Sequence, residues 1–248
     1  MILKKGSTGT EVIKWQQFLA KQGYKIGALD GIFGSKTEEY TKHWQAKNGL
    51  TADGKVGNNT LTKAGFNTAE VAQSSYYPPK PNFSTPSQSA VRQMFGTFAY
   101  KNLGGGRIQI TDGWQAQNIT KILIPQLIGV PYAPADGQIY FHKLVANQLK
   151  SAFQEVEDKG LKNRIISWSG SFYPRMVRGS SRTLSNHSWG TAFDINAPEN
   201  WLGQRPAKLG QKGCLLELVP IFNKWGFFWG GHYNNRLDGM HFEAAKIL

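Results

Sequence analysis

Cysteine is nearly absent from this sequence of 248 residues, which contains only Cys214. A single cysteine excludes an internal disulfide. It also excludes a metal site that uses two or more cysteine thiolates as ligands. Cys214 lies in an apolar stretch with helical spacing, so we predict a buried thiol in the core.

Long hydrophobic runs are also lacking. No stretch reaches the roughly 18 consecutive apolar residues that a transmembrane helix needs, and residues 1–6 lack the apolar segment of a secretory signal. We therefore expect that the protein does not insert stably into a membrane. We also expect it to accumulate in the cytoplasm of the cell that makes it. The hydrophobic content of 40% suffices for one large core or two unequal ones, and we predict two domains.

Acidic residues are few, with 16 Asp and Glu against 29 Lys and Arg, which gives a net charge of +13. The excess is spread along the chain, amounting to five charges in residues 1–66 and eight in residues 91–248. A nucleic-acid binder would more often show clustered basic stripes with aromatic stacking platforms. We therefore expect no nucleic-acid partner, and a diffuse positive field suits another polyanionic target such as a bacterial envelope.

Two short segments near the end of the chain carry the residue types of a metal site. The first reads Ser-x-His-x-x-Gly-x-Ala-x-Asp and contains His187 and Asp194, and the second reads Asp-x-x-His-x-Glu and contains His241. Apolar alternation around Asp194 and His241 predicts a strand at each. Two imidazoles and one carboxylate are a common ligand set for catalytic Zn²⁺, because they leave the fourth tetrahedral position for a water. We predict a Zn²⁺ site formed by these three residues.

Further polar residues surround the predicted ligands in the sequence. Asp238 is the candidate general base, because amide hydrolysis needs a group that takes a proton from water and delivers it to the leaving amine. Glu243 is a candidate partner for the second ring nitrogen of a ligand histidine. Ser185 is a candidate to orient His187 or to contact substrate. His232 is a rival ligand that we interpret as a residue of the cleft wall.

Taken together, the two patterns resemble the zinc D-alanyl-D-alanine carboxypeptidase and L-alanyl-D-glutamate endopeptidase family, which cuts the stem peptides of bacterial peptidoglycan. The resemblance implies that the two histidines and the first aspartate hold zinc and that Asp238 is the base. It also implies an upstream arginine that stabilises the oxyanion of the scissile carbonyl. The family's Ser-Gly-Tyr-Arg run is Ser-Gly-Ser-Phe-Tyr-Pro-Arg here, so Arg175 is the candidate and Arg178 its rival.

The first 66 residues contain an internal repeat. The pattern Asp-Gly-x-apolar-Gly-x-x-Thr occurs at residues 30–37 and again at residues 53–60. Each copy reads as a tight turn that leads into a helix, and the apolar spacing around the copies predicts three short helices. The segment resembles the peptidoglycan-binding module of wall hydrolases, which implies a wall-binding groove near Asp30, Phe33, Gly34 and Thr37.

The chain is predicted to consist of a peptidoglycan-binding domain (residues 1–66), a Pro- and Ser-rich linker (residues 67–90) and a zinc peptidase domain (residues 91–248). In the last domain, helical spacing predicts a helix over residues 139–159 and another over residues 215–225 that is interrupted or kinked near Pro220. Residues 114–128 read as mixed helix and turn, and residues 165–168 read as a strand.

The predicted fold class is α+β: a small three-helix module, followed by a mostly antiparallel sheet flanked by helices, with zinc at the edge of the sheet. The resemblance implies a monomeric peptidoglycan hydrolase of the bacteriophage endolysin type, which is bacteriolytic and stays in the host cytoplasm until it is released to the cell wall. A bacterial D,D-carboxypeptidase and a non-catalytic wall-binding protein are the alternatives. The motifs do not choose among the L-alanyl-D-glutamate, D-alanyl-diaminopimelate and D-alanyl-D-alanine bonds.

Overall fold

The computed structural model describes residues 2–66 and 77–248. Residues 67–76, the first part of the predicted linker, lie outside the described residues. The chain divides into two compact units: the described residues up to Tyr77 together with Lys208–Gly210, and Pro78–Ala207 together with Gln211–Leu248. This division falls inside the predicted linker, and the domain boundaries at residues 66 and 90 stay predictions.

Helices form the first unit. Within residues 2–66 they are α1 (Thr10–Lys21), α2 (Ser35–Lys47) and α3 (Asn58–Lys63). Trp15, Leu19, Phe33 and Trp44 are buried between them. The rings of Trp15 and Trp44 meet edge to face with centroids 5.6 Å apart, an arrangement that aromatic pairs prefer. The expectation of a small helical module is confirmed.

Each copy of the internal repeat is held by a buried glutamine from the preceding helix. Gln16 Nε2 donates to Asp30 Oδ1 at 2.9 Å and to the Ile32 carbonyl at 3.1 Å, and Gln16 Oε1 accepts from the Gly31 N–H at 3.0 Å. Gln45 makes the equivalent three contacts with the second copy of the pattern, to Asp53, Lys55 and Gly54. The glutamine thus satisfies the polar atoms of each Asp-Gly turn, which buried groups require.

The second unit contains helices α4 (Gln88–Phe95), α5 (Trp114–Asn118), α6 (Ala146–Asp158) and α7 (Val219–Lys224). Its strands are β1 (Tyr100–Gly104), β2 (Arg107–Ile110), β3 (Ile119–Leu123), β4 (Gln138–His142), β5 (Trp168–Gly170), β6 (Ala192–Ile195), β7 (Phe227–Trp229) and β8 (His241–Ala244). The last four form one antiparallel sheet in the order β5-β6-β8-β7, while β1–β2 and β3–β4 form separate antiparallel pairs. The predicted α+β class with antiparallel sheets is confirmed.

The predicted helix over residues 139–159 is wrong in its first part. Strand β4 pairs with β3 there, and α6 begins only at Ala146. Ile139 and Phe141 are buried while Tyr140 between them is 54% exposed, which is the period of two expected for a strand. The apolar side chains before residue 146 therefore belong to a sheet, although their spacing also fits one face of a helix.

Three smaller expectations need correction. Residues 114–128 contain a strand that was not predicted, because β3 follows α5 directly. The strand predicted over residues 165–168 begins only at Trp168. Helix α7 begins at Val219 with Pro220 in its first turn, where the missing N–H of proline leaves no hydrogen bond unmade. The helix therefore starts near Pro220 and is not kinked by it.

Aromatic side chains fill the core of the second unit. Phe193 of β6 stacks on Trp168 and on Phe242, with interplanar angles of 8° and 9°. Phe153 of α6 and Phe222 of α7 contact Phe193 from the helical side, with centroids 5.7 and 5.1 Å away. The two helices thus pack on one face of the sheet.

The structure can be compared with two expectations, a buried Cys214 and the lack of a transmembrane helix. Cys214 is buried, as predicted, and burial raises the pKa of its thiol to about 11. Over residues 2–66 and 77–248, none of the helices combines the length and the apolar character that a membrane span requires.

Candidate metal centre

His187 lies in a short 3-10 turn, Asn186–Trp189, that ends at Gly190. Gly190 has a φ of 63°, and a Cβ at this position would lie 2.8 Å from Ile119 Cδ1 and 3.2 Å from the backbone nitrogen of His142. Both the left-handed backbone and the close packing therefore favour glycine. The turn leads directly into β6, so His187 is held beside the start of that strand.

The register of the sheet brings Asp194 beside His241. The two residues are partners in the antiparallel β6–β8 ladder, and paired residues direct their side chains to the same face of a sheet. Phe193 and Ile195, the neighbours of Asp194, are fully buried. The strands predicted around Asp194 and His241 are confirmed, and the alternation along β6 separates the carboxylate from the apolar core.

Three side chains converge over β6 and β8, which are the two central strands of this sheet, and not at its edge as predicted. His187 Nε2 lies 3.2 Å from His241 Nδ1 and 3.2 Å from Asp194 Oδ2, and His241 Nδ1 lies 2.9 Å from Asp194 Oδ1. Ligand atoms on a tetrahedral zinc ion with bonds of about 2.0–2.1 Å are roughly 3.3 Å apart. The spacing of the two ring nitrogens and the Asp194 carboxylate oxygens therefore fits a single metal ion, and the described residues contain this one group with metal-ligand geometry.

A backbone carbonyl sets the orientation of the first histidine. His187 Nδ1 lies 2.6 Å from the carbonyl oxygen of Ser171, to which it donates. A neutral His187 then presents the lone pair of Nε2 toward the other two residues. The hydroxyl of Ser171 donates in turn to the carbonyl of Tyr140 at 2.8 Å, which anchors this loop to β4.

Glu243 supports the second histidine. Its Oε2 lies 3.6 Å from His241 Nε2, and its carboxylate also accepts hydrogen bonds from Asn186 Nδ2 and from the hydroxyl of Tyr233. Metal-bound histidines usually have such a carboxylate on the ring nitrogen that does not contact the metal. Glu243 therefore contacts the second ring nitrogen of His241, and its role as the partner of a ligand histidine stays a prediction.

The charges of the three convergent residues depend on one another. Burial by itself would raise the pKa of Asp194, but His187 and His241 outweigh it and hold that pKa far below its usual value. Burial would lower the pKa of His241, but Asp194 and Glu243 raise it well above its usual value. The site therefore favours an anionic Asp194 next to positive charge, as a metal-binding carboxylate requires.

Asp238 lies in the loop before β8, with backbone hydrogen bonds on both sides. Its N–H donates to the Gly230 carbonyl at 3.0 Å, and its carbonyl accepts from the His241 N–H at 3.1 Å. Its Oδ1 is buried and has no hydrogen-bond partner in the described part of the chain. Burial raises the pKa of Asp238, while the nearby charge of His241 opposes this increase. A free carboxylate oxygen beside the ligand group is available to take up a proton.

Arg175 lines both clefts of the site and is more buried than Arg178. Burial lowers the pKa of Arg175, while the carboxylates of Asp194 and Asp238 act in the opposite direction. Arg178 is exposed, and its guanidinium lies over the ring of Trp201, 5.0 Å from the centroid. Arg175 is therefore the arginine that the structure encloses near the carboxylates.

Ser188 is a residue of this site that the sequence did not indicate. Its buried hydroxyl accepts from the Arg175 N–H at 2.9 Å and donates to the Arg175 carbonyl at 2.8 Å. Ser185 adds a third contact, because its N–H donates to the same carbonyl at 3.0 Å. The His187 turn therefore fixes the backbone of Arg175. Only the position of Ser188 next to a predicted ligand could have suggested it.

Two clefts meet at the ligand group. The larger has a volume of about 940 Å³ and extends past Ser171 and Tyr173, and the smaller, of about 250 Å³, contains Asp238 and Tyr233. Arg175, Val177, Arg178 and Asp194 line both clefts. A chain crossing the site would thus have a compartment on each side of the three convergent atoms.

The remaining candidates lie in different places. Ser185 is buried and lines the smaller cleft, two residues from His187. His232 is buried, with Nε2 2.8 Å from the Pro78 carbonyl, and it does not belong to the convergent group. Its ring packs edge to face on Trp229, so it lies behind the site in the core.

The four predicted wall-binding residues lie around the first Asp-Gly turn of the N-terminal unit. Phe33 is fully buried in the helical core, and Thr37 is buried near Gln16. The carboxylate of Asp30 caps its own turn by accepting from the Ile32 N–H at 2.8 Å, which together with Gln16 lowers the pKa of Asp30. Gly34 precedes α2 and is half-buried. These contacts shape the turn, and contact with the wall stays a prediction.

Two segments of the chain match models of known protein families. Residues 178–244 match the model described as "D-alanyl-D-alanine carboxypeptidase", and residues 8–64 match the model described as "Putative peptidoglycan binding domain". The first match contains His187, Asp194, Asp238 and His241, and it begins three residues after Arg175. Both resemblances inferred from the sequence are confirmed.

Individual relatives match over shorter stretches. Two Bacillus cereus proteins, each named spore cortex-lytic enzyme, are 36% identical over 59 residues, which is 24% of this chain and 23% of each relative. The chain therefore covers less than a quarter of the length of these relatives. The crystal structure of the SleB N-terminal domain is 33% identical, covering 26% of this chain and 88% of that one, with a TM-score of 0.25. A Burkholderia AP3 phage endolysin is also 33% identical, covering 26% of this chain and 24% of that one, with a TM-score of 0.25.

Proposed function

We propose that this chain, whose two parts are similar to peptidoglycan-binding domains and to D-alanyl-D-alanine carboxypeptidases, is a zinc-dependent peptidoglycan hydrolase. The observation that carries the proposal is the convergence of His187, Asp194 and His241 where two clefts meet, the smaller of which also contains Asp238 and Arg175. The reaction is hydrolysis of an amide bond in the stem peptide.

The three convergent residues would hold Zn²⁺. Their donor set suits this ion, because two imidazoles and one carboxylate are typical of catalytic zinc and leave a position open. The hydrogen bond of His187 to the Ser171 carbonyl and the contact of His241 with Glu243 direct one ring nitrogen of each histidine into the group. The ion would supply a Lewis acid that activates water near neutral pH.

Asp238 serves as the general base in this proposal. Its buried Oδ1 has no partner in the described residues, so it can accept a proton from the attacking water. Once protonated, the same carboxyl can donate that proton to the leaving amine, which completes hydrolysis of the amide. Its place three residues before His241, on the loop that enters β8, keeps it beside the ligand group.

Arg175 stabilises the negative charge that develops on the scissile carbonyl oxygen. A guanidinium offers donors in a fixed geometry, and a donor held in place before the reaction contributes more than one that must be ordered during it. The contacts of Ser188 and Ser185 with the Arg175 backbone supply this order. Arg178, which lies over Trp201, is assigned to the cleft wall.

The N-terminal unit binds the polymer that the second unit cuts. A linker between a binding module and an enzyme keeps the enzyme at a high effective concentration near its substrate, in the mM range for short flexible linkers. We further propose that the protein is a bacteriolytic endolysin of a bacteriophage, which is held in the host cytoplasm until release. Lysis of host cells by protein added from outside, compared with protein expressed alone in the cytoplasm, tests this assignment.

A D,D-carboxypeptidase is the second candidate, because the matching family model carries that description. It would use the same residues and release a terminal D-alanine. Cleavage within the stem peptide would instead create new amino termini without free D-alanine. Mass spectrometry of the products distinguishes the two reactions and identifies the bond.

The experiment that tests the proposal is digestion of purified peptidoglycan by zinc-loaded wild type and by Asp238→Ala, each with and without a chelator. We expect wild type to release soluble products, the chelator to abolish release, and Asp238→Ala to be about 10²–10⁴-fold slower. Full activity of Asp238→Ala would refute the role of the base. No digestion by the zinc-loaded wild type would leave a non-catalytic wall-binding protein as the better interpretation.

A further inference from the structure

A third depression in the second unit lies outside the two clefts of the metal centre. It has a volume of about 720 Å³ and is bordered by Tyr132, Pro134, Pro198 and Trp201, with Ser169 and Gly170 at its floor. We call it the aromatic groove. Its lining residues in the described chain include no Asp, Glu, Lys or Arg, although the protein carries a net charge of +13.

Two of the aromatic side chains that line this groove are exposed. Tyr132 is 85% exposed and Trp201 is 49% exposed, whereas most of the large aromatic side chains in this unit are buried. Tyr132 also has a φ of 66°. A bulky residue seldom adopts this left-handed conformation, and strained residues of this kind cluster at functional sites.

Both rings extend from anchored backbone. The Trp168 N–H donates to the Pro131 carbonyl at 2.9 Å, which ties the Tyr132 loop to β5. The side chain of Asn200, next to Trp201, is fully buried and donates to the carbonyls of Asn196 and Gly213 at 3.0 and 2.9 Å. Rings held on fixed supports lose little entropy when they bind a ligand.

The aromatic groove is continuous with the metal centre. Ser169 and Gly170 line both the groove and the larger cleft, and Gly170 pairs with Asp194 in the β5–β6 ladder. The charges of the two regions differ, because Arg107, Arg175 and Arg178 line the larger cleft and no charged residue lines the groove itself. Arg178 comes near the groove where its guanidinium lies over the ring of Trp201, 5.0 Å from the centroid. An anionic segment of a substrate therefore suits the cleft, while a neutral segment with apolar faces suits the groove.

We propose that the aromatic groove is a binding subsite for the glycan strand of peptidoglycan, in which Tyr132 and Trp201 stack on the faces of N-acetylated sugar rings. The inference rests on the proposed function, since it assigns a binding site to the glycan part of the same peptidoglycan substrate. A stem peptide carries carboxylates and is joined covalently to a strand of uncharged pyranose rings. Pyranose rings present C–H faces to aromatic side chains and hydroxyl groups to solvent, so exposed rings in an uncharged groove match them.

The first test measures glycan binding directly, using the β-1,4-linked tetramer of N-acetylglucosamine and the metal-free full chain. The indole N–H resonance of Trp201 is assigned by its disappearance in Trp201→Phe and followed during titration. We expect this resonance to shift with the tetramer, and we expect Tyr132→Ala to weaken the binding that it reports about tenfold. Tyr100→Ala, a partly exposed tyrosine on β1, is the matched control and should bind as wild type does.

This test distinguishes glycan binding at the aromatic groove from glycan binding by the N-terminal unit. If the tetramer binds only that unit, the Trp201 resonance stays unchanged while total binding persists, and the proposal is overturned. It is also overturned if Tyr132→Ala binds the tetramer as tightly as wild type does at Trp201. An apolar peptide that shifts the resonance when the tetramer does not would identify a protein ligand instead.

The second test compares hydrolysis of a free stem peptide with hydrolysis of the same peptide attached to glycan. Tyr132→Ala should lower kcat/KM about tenfold on the glycan-linked substrate and leave the free peptide unaffected, while Trp201→Phe, which keeps an aromatic ring, should retain most of the activity. Equal losses on both substrates would contradict a glycan subsite. If wild type cleaves neither substrate, the proposed function fails, but the resonance test still decides the glycan subsite.

Discussion

Replacing Glu243 by Gln is expected to weaken zinc binding by about 10–100-fold and to leave the fold intact. Glu243 is 4% exposed, and its carboxylate contacts His241 Nε2, Asn186 and Tyr233. Glutamine has nearly the same volume, so the packing of β8 is retained while the negative charge is lost. The loss of a carboxylate behind a metal-bound histidine typically costs 10–100-fold in affinity, or about 1.4–2.7 kcal/mol.

The assay is competition for zinc between the protein and a chromophoric chelator, with urea unfolding of the metal-free protein measured in parallel. Glu217→Gln is the matched control, because Glu217 is a mostly buried carboxylate paired with Arg164 at 2.6 Å and lies outside the ligand group. We expect Glu217→Gln to change stability but not zinc affinity. Unchanged zinc affinity in a folded Glu243→Gln variant would refute the reasoning, and equal losses in both variants would point to a general loss of structure.

Three further changes test separate parts of the structure. Gly190→Ala is expected to destabilise the protein by at least about 1–2 kcal/mol, because of its positive φ and the close contact with Ile119; a urea midpoint equal to that of wild type would contradict the geometry of the turn. Ser188→Ala removes both hydroxyl contacts with the Arg175 backbone, so kcat on a stem peptide should fall more than KM rises, whereas an unchanged kcat would show that these contacts do not position Arg175. Burial lowers the pKa of His142 to about 4, so the folded protein favours the neutral imidazole. About 3 kcal/mol of folding free energy should therefore be lost as the pH falls from about 6.5 toward 4. His142→Gln should reduce this loss in acid-unfolding curves.

Part of the metal site could be predicted because its residues lie in two short segments with fixed spacing. His187 and Asp194 are seven residues apart, and His241 follows Asp238 by three, so each segment can be recognised without knowledge of the fold. Ser171 and Ser188 could not be found in this way. Ser171 contributes a backbone carbonyl, which any residue type has, and Ser188 contributes a common hydroxyl whose partner is backbone.

The different surroundings of Arg175 and Arg178 also became visible only in the fold. The two arginines are three residues apart in the same loop, and local pattern does not distinguish them. The bridge between Arg107 and Arg175 and the hydrogen bonds to Ser188 hold one arginine at the cleft, while Trp201, 23 residues further along the chain, contacts the other. Long-range contacts thus separate two side chains of identical chemistry.

The sequence by itself determined the ordered motifs, which contain two histidines, two aspartates and a glutamate, and the repeated Asp-Gly turn preceded by Trp-Gln. These follow from local spacing, which the sequence displays directly. Only the tertiary structure decided that residues 138–142 form a strand, that β6 and β8 pair so that Asp194 faces His241, and that Tyr132 and Trp201 border one groove. Those outcomes depend on partners far along the chain, because strand pairing and burial are settled by the whole core.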